Sequence, residues 1–199
     1  MEEFFSKHGR NSLELVKNAE LFAKEKHSGI IRNDGKTPYS KHLEDVVNRL
    51  KSLGVIDEEI LCSGWLHDSI EDTDVSFDDL YERFGSKVAV LVSDLTKDMS
   101  LPKKKREQAY VKQLTESSSD AKLIKLCDIS ANLSDLKNYD ASKSKRLRIV
   151  RQKRRYLLVI KNDLLDNTDY PKIQTLLEST EQILKKYGQR SIKIKSNHS

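Results

Sequence analysis

Apolar residues recur every three or four positions along nearly the whole chain, which is the spacing of one face of an α-helix. Only 7 Gly and 3 Pro interrupt the 199 residues, and this scarcity argues against a turn-rich β-sandwich. We therefore expect an all-α fold. Segments with the helical spacing lie at about 11–27, 40–53, 57–70, 103–116, 119–137, 142–165 and 171–187.

Three shorter stretches connect these segments. Residues 74–85 (DVSFDDLYERFG) predict a short capped helix that ends at its glycine. Residues 86–96 (SKVAVLVSDLT) have the composition of a β-strand, but their valines and leucines recur at helical spacing, so we expect a helix. Residues 28–38 (SGIIRNDGKTP) predict a loop, because Asn-Asp-Gly and Thr-Pro are turn sequences.

We expect one domain over residues 1–199, a bundle of about eight to ten helices with frayed ends at 1–10 and 190–199. The sequence contains no run of 18 apolar residues, so we expect no membrane span. The first residues lack the features of a signal peptide. Cys62 and Cys127 are too few for a disulfide framework, so we expect free thiols in the cytoplasm.

A basic run lies at residues 143–155 (KSKRLRIVRQKRR), which contain eight of the 36 Lys and Arg in a chain of net charge +5. Such a run is typical of segments that bind nucleic acid. Its interleaved apolar residues Leu147, Ile149 and Val150 instead predict an amphipathic helix with a solvated basic face. No aromatic residues alternate with the basic ones, as they do in proteins that bind single strands. We therefore do not expect nucleic acid as a partner.

Four ionisable side chains directly follow an apolar segment in the stretch LHDSIEDT: His67, Asp68, Glu71 and Asp72. On a continuous helix, side chains four positions apart share a face, which would pair residue 67 with 71 and residue 68 with 72. Placing these groups beside a buried segment is costly without a partner. A divalent cation is one such partner, since imidazole and carboxylate are good ligands. The alternative is a solvated helix end.

Two distant residues are further candidate ligands. His42 begins a predicted helix in the stretch PYSKH, and Asp128 lies in the apolar stretch KLIKLCDISANL. A buried carboxylate requires a cation or several hydrogen-bond donors, so Asp128 could bind a metal or form a core ion pair with Lys125 or Lys122. Histidines and aspartates from separate helices can form a mixed coordination shell that leaves room for water and a phosphate oxygen.

These stretches resemble the HD-domain phosphohydrolase superfamily. Within it, they are most similar to the hydrolase domain of RelA/SpoT homologues and to the small alarmone hydrolases of the metazoan SpoT-homologue type. The resemblance covers roughly residues 18–140 and depends on PYSKH, on HDSIEDT followed by FG and LTK, and on KLCDISAN. It implies an all-α HD-domain bundle that acts as a stand-alone hydrolase.

The resemblance also implies the chemistry of the site. The reaction would remove pyrophosphate from the 3′ position of guanosine tetra- or pentaphosphate, a guanine nucleotide alarmone. Glu71 and Asp72 would position and deprotonate the attacking water. One divalent metal, Mn²⁺ first and other divalent ions as alternatives, would be bound by His42, His67, Asp68 and Asp128.

By the same resemblance, the nucleotide would contact Arg32, Asn33, Tyr39, Lys97, Lys103, Asn132 and Arg148. Arg32 would stack on the purine base, and Tyr39 would pack on the nucleotide or hydrogen-bond to it. Asn132 would contact the sugar, while the two lysines and Arg148, or its neighbour Arg146, would face the phosphates. For each of them, the alternative is an exposed polar side chain that contacts only water.

The chain departs from the family pattern at Asn33, where Lys is common, and at Ile129, where a basic residue usually follows the aspartate. These differences leave two other functions open. One is a metal-dependent phosphohydrolase that acts on an adenine alarmone or on a 2′-phosphorylated dinucleotide such as NADPH. The other is a catalytically weak nucleotide-binding module, against which the retained Glu71 and Asp72 argue. The sequence leaves the oligomeric state open.

Overall fold

The structure, a computed structural model, describes residues 12–194. Of the ends that we expect to be frayed, 1–10 and 190–199, the first lies outside this range, and so do residues 195–199 of the second. Within the described range, the chain forms ten α-helices: α1 (Ser12–Lys26), α2 (Ser40–Leu53), α3 (Glu58–Leu66), α4 (Ser69–Asp72), α5 (Phe77–Phe84), α6 (Ser86–Leu95), α7 (Lys103–Glu116), α8 (Ser119–Asp135), α9 (Lys143–Leu165) and α10 (Ile173–Lys186).

The all-α prediction is confirmed. Within residues 12–194, the one β pairing is an isolated bridge between Ile31 and Pro38 in the loop before α2. The stretch with strand-like composition forms α6, as its helical spacing predicts. None of the helices described is both long and apolar enough to cross a membrane.

The predicted helix at 57–70 is interrupted, although the amide of Asp72 still donates to the carbonyl of Asp68, four residues earlier, at 2.9 Å. α3 ends at Leu66, and α4 begins at Ser69. Asp68 between them has φ −103° and ψ 1°, outside the helical region. Neighbouring side chains on a continuous helix point about 100° apart. The interruption instead brings His67 and Asp68 to the same point, with Nε2 and Oδ2 3.0 Å apart.

α5 begins later than Asp74, because Ser76 caps it. The hydroxyl of Ser76 accepts a hydrogen bond from the amide of Asp79 at 3.1 Å, and the carboxylate of Asp79 accepts one from the amide of Ser76 at 2.9 Å. This reciprocal pair is a capping box, which satisfies two backbone donors at the start of a helix. Gly85, with φ 91°, separates α5 from α6.

The core is built around α3 and α8. Helices α1, α2 and α6 pack against α3, and α2, α6, α9 and α10 pack against α8. Twelve of the 17 residues of α8 are buried, which is typical of a helix at the centre of a domain. α2 therefore lies against both central helices.

Gly64 allows α2 and α3 to approach closely. A Cβ atom at this position would lie 2.7 Å from Leu50 Cδ1 and 3.2 Å from Val47 Cγ2, both on α2. The first distance is well inside van der Waals contact, so a larger residue would require the Leu50 side chain to shift or the two helices to move apart.

Past the end of α10, residues 190–194 of the end that we expect to be frayed contact the rest of the domain. Ile192 is 1% exposed, and its amide donates to Glu181 Oε1 at 2.7 Å. The hydroxyl of Ser191 donates to the same oxygen at 2.6 Å. The guanidinium of Arg154 donates to the carbonyl of Arg190 at 2.8 Å. The buried side chain of Ile192 therefore anchors residues 190–194, although most of this segment is polar.

Candidate metal centre

Three packed helices bring two histidines and an aspartate together in the core. His42 lies in the first turn of α2, His67 directly follows α3, and Asp128 lies in the middle of α8. One potential ligand atom from each residue lies within 4.8 Å of the other two. All three side chains are buried, with exposed fractions of 0%, 1% and 3%.

Asp68 lies at the same centre. Its Oδ2 is 3.0 Å from Nε2 of His67 and 3.7 Å from Nε2 of His42. Asp128 Oδ1 is 3.4 Å from the same nitrogen of His42. The hydroxyl of Tyr39 donates a hydrogen bond to Asp68 Oδ2 at 2.6 Å, which helps to hold that carboxylate in place. The structure therefore brings all four sequence-predicted ligands together.

Three of the four imidazole nitrogens of His42 and His67 have no hydrogen-bond partner among residues 12–194. Within the described part of the chain, Nδ1 and Nε2 of His42 and Nε2 of His67 form no hydrogen bond. The other ring nitrogen of His67 lies 2.9 Å from the carbonyl oxygen of Gly64, which orients the ring. An unpartnered buried polar group costs about 1–3 kcal/mol. A divalent cation would remove this cost, so the donor set fits a metal ion.

Asp128 has cationic partners within the protein. Its Oδ2 lies 2.8 Å from Nζ of Lys125 and 3.4 Å from Nζ of Lys153, and its Oδ1 accepts a hydrogen bond from the amide of Asn132. Burial opposes the charge, but the two ammonium groups hold the pKa of Asp128 well below its usual range. The core ion pair with Lys125 is therefore present beside the two histidines, while Lys122 pairs with Asp163.

The two histidines have different electrostatic surroundings. Burial lowers the pKa of His42, which favours the neutral imidazole that binds metals. Burial acts in the same direction on His67, but the negative charge of Asp68 raises its pKa overall. Burial raises the pKa of Asp68, but the charge of the neighbouring His67 outweighs burial and lowers the pKa of the carboxyl overall. Both acids at this centre are therefore carboxylates, which is the form that binds a cation.

Glu71 and Asp72 have different partners. Glu71 accepts hydrogen bonds from Nζ of Lys97 at 2.9 and 3.2 Å and from the backbone amide of Lys97 at 3.3 Å. Asp72 is exposed by comparison. Partial desolvation, and then the charge of Asp68, raise the pKa of Asp72. Lys97 therefore fixes Glu71, while Asp72 is a stronger base than an ordinary aspartate.

Arg32 is buried, and protein groups occupy its guanidinium. It donates to the hydroxyl of Tyr139 at 2.8 Å and to Asn132 Oδ1 and Asp135 Oδ2, both at 3.2 Å. The rings of Tyr39 and Tyr139 lie 5.6 Å from its central carbon. The guanidinium of Arg32 therefore lies between two tyrosine rings in this structure, and its stacking on a purine base stays a prediction.

Asn132 links Arg32 to the metal centre, because its amide donates to Asp128 while its oxygen accepts from Arg32. Tyr39 stacks on the ring of His27, with centroids 5.2 Å apart, and contacts the centre through Asp68. A cavity of about 220 Å³ adjoins this network and is lined by Arg32, Asp34, Thr37, Lys41, Asp45, Asp135, Asn138 and Tyr139.

The remaining predicted substrate contacts lie on the surface. Asn33, Lys103 and Arg148 are exposed. Arg146 is half-buried and donates to the carbonyl of Tyr139 at 2.6 Å. Among the residues predicted to face the phosphates, which are Lys97, Lys103 and either Arg148 or Arg146, Lys97 is the one that pairs with Glu71.

Sequence reasoning missed Lys153, which it treated only as one member of the basic run. Lys153 shares a face of α9 with the buried residues Val150, Leu157 and Ile160. A lysine at a core-facing position of an amphipathic helix requires an acidic partner, so this spacing was the available signal. The identity of the partner, Asp128, depends on the packing of α9 against α8.

The chain is similar to proteins of known function over much of its length. A profile of the HD domain matches residues 19–155. Guanosine-3′,5′-bis(diphosphate) 3′-pyrophosphohydrolase MESH1 of Danio rerio is 43% identical over 117 residues, which are 58% of this chain and 65% of that protein. The protein of the same name from Homo sapiens is 39% identical over 130 residues, which are 64% of this chain and 72% of that one.

A solved structure extends the likeness to most of the fold. It belongs to a metazoan ortholog of SpoT that hydrolyzes ppGpp and plays a role in starvation responses. It matches this chain with a TM-score of 0.76 and 28% sequence identity, over 92% of this chain and 99% of that one. Since the profile covers more than half of the residues and includes all four clustered side chains, this chain belongs to the HD-domain family.

Proposed function

We propose that this protein is a metal-dependent hydrolase that removes pyrophosphate from the 3′ position of guanosine tetra- and pentaphosphate. The observation that carries the proposal is the buried centre, where imidazole nitrogens without partners face two carboxylates. Support for the substrate comes from two similar proteins that are named for this reaction.

In this proposal, His42, His67, Asp68 and Asp128 bind one divalent cation. A mixed set of nitrogen and oxygen donors suits several first-row metals, and we propose Mn²⁺ as the first choice because carboxylates make up half of the set. When bound, the cation would supply positive charge against the charge that develops on phosphate oxygens, and it would make a nearby water more acidic.

We assign Asp72 as the general base that accepts a proton from the attacking water. It lies four positions after Asp68, and its raised pKa makes it a better proton acceptor than an ordinary surface aspartate. Glu71 has a positioning role, since it holds Lys97 at 2.9 Å. That ion pair keeps an ammonium group beside the centre, where a polyanionic leaving group would need positive charge.

The substrate contacts of the proposal fall into two groups. Tyr39 and Asn132 touch the metal ligands directly, so they would orient the nucleotide relative to the centre. The exposed Asn33, Lys103 and Arg148 would be reached by the nucleotide from solvent.

The test is release of pyrophosphate from guanosine tetraphosphate by the purified protein with Mn²⁺. Asp72→Asn keeps the shape of the side chain but removes the base, so we expect the rate to fall about 10²–10⁴-fold. Asp78→Asn, an exposed aspartate in the first turn of α5, is the matched control and should retain the wild-type rate. The proposal fails if the wild-type protein releases no pyrophosphate with Mn²⁺, Mg²⁺ or Zn²⁺.

A second candidate function is phosphate removal from an adenine alarmone or from a 2′-phosphorylated dinucleotide. It is favoured by the guanidinium of Arg32, which protein groups occupy, and by the exposed Asn33 in place of a lysine. With Arg32 occupied and no lysine at position 33, no cation at these two positions is free to select guanine over adenine. Turnover measured side by side on guanine and adenine substrates separates the two candidates.

We also propose that the whole chain forms one HD domain in the cytoplasm. The described helices share one hydrophobic core. Cys62 and Cys127 are buried, unpaired thiols within it, which suits a reducing compartment.

A further inference from the structure

The proposed reaction does not use most of the basic run at 143–155. Three of its eight cations have partners in the protein: Lys153 contacts Asp128, while Arg146 and Arg154 donate to backbone carbonyls. The other five are exposed on α9. The first of them, Lys143, begins the helix directly after its cap, Ser142.

The beginning of this run lines a cavity of about 540 Å³ between the start of α9 and the end of α10. Its volume lies within the range of about 300–1,000 Å³ that is usual for small-molecule sites. None of the residues that line it belongs to the metal centre. They are Lys143, Arg146, Leu147, Lys186 and Tyr187; we call this cavity the α9–α10 pocket.

The charge of the α9–α10 pocket is uncompensated. Three of its lining residues are cations, and none is an acid. Within residues 12–194, neither Lys143 nor Lys186 forms an ion pair, and Nε of Arg146 is buried without an acceptor. The other side of that guanidinium is held by the carbonyl of Tyr139, so its orientation is fixed. Three cations around one cavity repel each other, and a bound anion would offset this repulsion.

The shape and chemistry of the pocket indicate which anion would fit. A guanidinium of fixed orientation and two ammonium groups match the oxygens of a phosphate or diphosphate. The pocket lies at the first turn of α9, and the N-terminal end of a helix carries positive potential. The side chains of Leu147 and Tyr187 supply an apolar surface, on which a ring can pack.

We propose that the α9–α10 pocket binds a small phosphorylated molecule, such as a nucleoside diphosphate, at a site separate from the metal centre. The phosphates lie against Lys143, Arg146 and Lys186, and the ring packs on Leu147 and Tyr187. The inference does not depend on the proposed reaction, because neither the metal ligands nor the two catalytic acids take part in it.

The experiment is an NMR titration of the full-length, ¹⁵N-labelled protein with Mg²⁺ present. The probes are GDP, inorganic pyrophosphate and a single-stranded RNA oligonucleotide. The readout is the amide signals of residues 143–147 and 186–187, which report on the pocket rather than on the metal centre. The test variant is K143Q/K186Q. Its matched control is K17Q/K51Q, which removes the same charge at exposed positions of α1 and α2.

We expect GDP to shift these amide signals saturably in the wild-type and control proteins, and the dissociation constant to rise about tenfold or more in K143Q/K186Q. A similar affinity for pyrophosphate assigns the binding to the phosphates, whereas tighter binding of GDP shows that the ring contributes. The proposal is overturned if neither small probe moves these signals, if the variant binds with the wild-type affinity, or if only the RNA shifts them.

Discussion

Asp128 uses its two carboxylate oxygens for different tasks. One oxygen lies against the ammonium groups of Lys125 and Lys153, and the other lies against His42 and the amide of Asn132. The lysines therefore hold the carboxylate in the orientation that a metal ion in the centre would require. Such supporting contacts usually matter nearly as much for metal affinity as the ligands themselves.

Lys125→Met tests this support. We expect the variant to bind Mn²⁺ about 10–100-fold more weakly, because Asp128 loses the contact that orients it. Its free energy of unfolding should fall, by at most about 3–5 kcal/mol, since the buried carboxylate of Asp128 loses the nearer of its two ammonium partners. The measurements are a metal titration and chemical denaturation.

Lys122→Met is the control for this variant. Lys122 is also buried on α8, about one turn earlier, but it pairs with Asp163 away from the centre. Its loss should reduce stability and leave the affinity for Mn²⁺ unchanged. Equal metal affinity in Lys125→Met and the wild-type protein would show that the lysine does not position Asp128.

The residues of the centre differ in how far the sequence predicts them. His67 and Asp68 are adjacent after an apolar segment, and Asp128 is an acid within an apolar helix, so local pattern marks each as unusual. The contact of Lys153 with Asp128 has no such local signal. It joins residues 25 positions apart on separate helices, and only their packing determines it.

At the scale of the elements, the close contact of α2 with α3 is what brings His42 to His67. Gly64 permits this contact and also supplies the carbonyl that orients His67. The site therefore depends on a residue that carries no functional group.

Gly64→Ala should destabilise the protein by about 1–3 kcal/mol, because the new methyl group would overlap Leu50 Cδ1 unless that side chain or α2 moves. We expect weaker binding of Mn²⁺ in the same variant, since the two histidines would separate. Chemical denaturation and metal titration measure the two effects. Ser63→Ala, a truncation at the neighbouring position, is the control. A Gly64→Ala protein with unchanged stability would contradict this account of the helix contact.

The segment after α10 offers a prediction of pH dependence. Burial opposes the charge of Glu181, but hydrogen bonds from Ser191 and then Lys185 lower its pKa below the ordinary 4.5. A carboxyl group with a lowered pKa in the folded state stabilises the protein above its ordinary pKa. This contribution disappears as the pH falls through the folded-state value.

Glu181→Gln should therefore lower the free energy of unfolding by about 1–3 kcal/mol at pH 7. The difference from the wild-type protein should stay constant down to about pH 5 and shrink below pH 4.5. Urea denaturation at a series of pH values measures it. Glu178→Gln, an exposed acid on the same helix, is the control. A difference that does not change with pH would show that the charge of Glu181 has no part in holding the segment.

The elements also show where prediction from sequence ends. The periodic segments predict α7 and α2 at their observed bounds, because burial of one face determines where such helices run. The interruption between α3 and α4 leaves no trace in the periodicity. It depends on local contacts of His67 and Asp68, which satisfy backbone and side-chain groups together. The anchoring of Ile192 likewise depends on Glu181, eleven residues earlier.

For the whole molecule, two central helices explain both the stability of the fold and the position of the chemistry. α8 is buried on most of its surface, and it carries Asp128 and Asn132 into the centre of the domain. The excess of basic residues collects on α9, where one face meets the metal centre and another meets α10. The molecule therefore has two regions for which we propose anionic ligands, the metal centre and the α9–α10 pocket.

The most direct test of the central claim is anomalous diffraction from a crystal of the protein grown with Mn²⁺, recorded on both sides of the manganese absorption edge. We predict one strong anomalous peak in contact with His42, His67, Asp68 and Asp128, and its loss in crystals of Asp128→Ala. A peak elsewhere, or no peak among these four side chains in the wild-type crystal, would contradict the account.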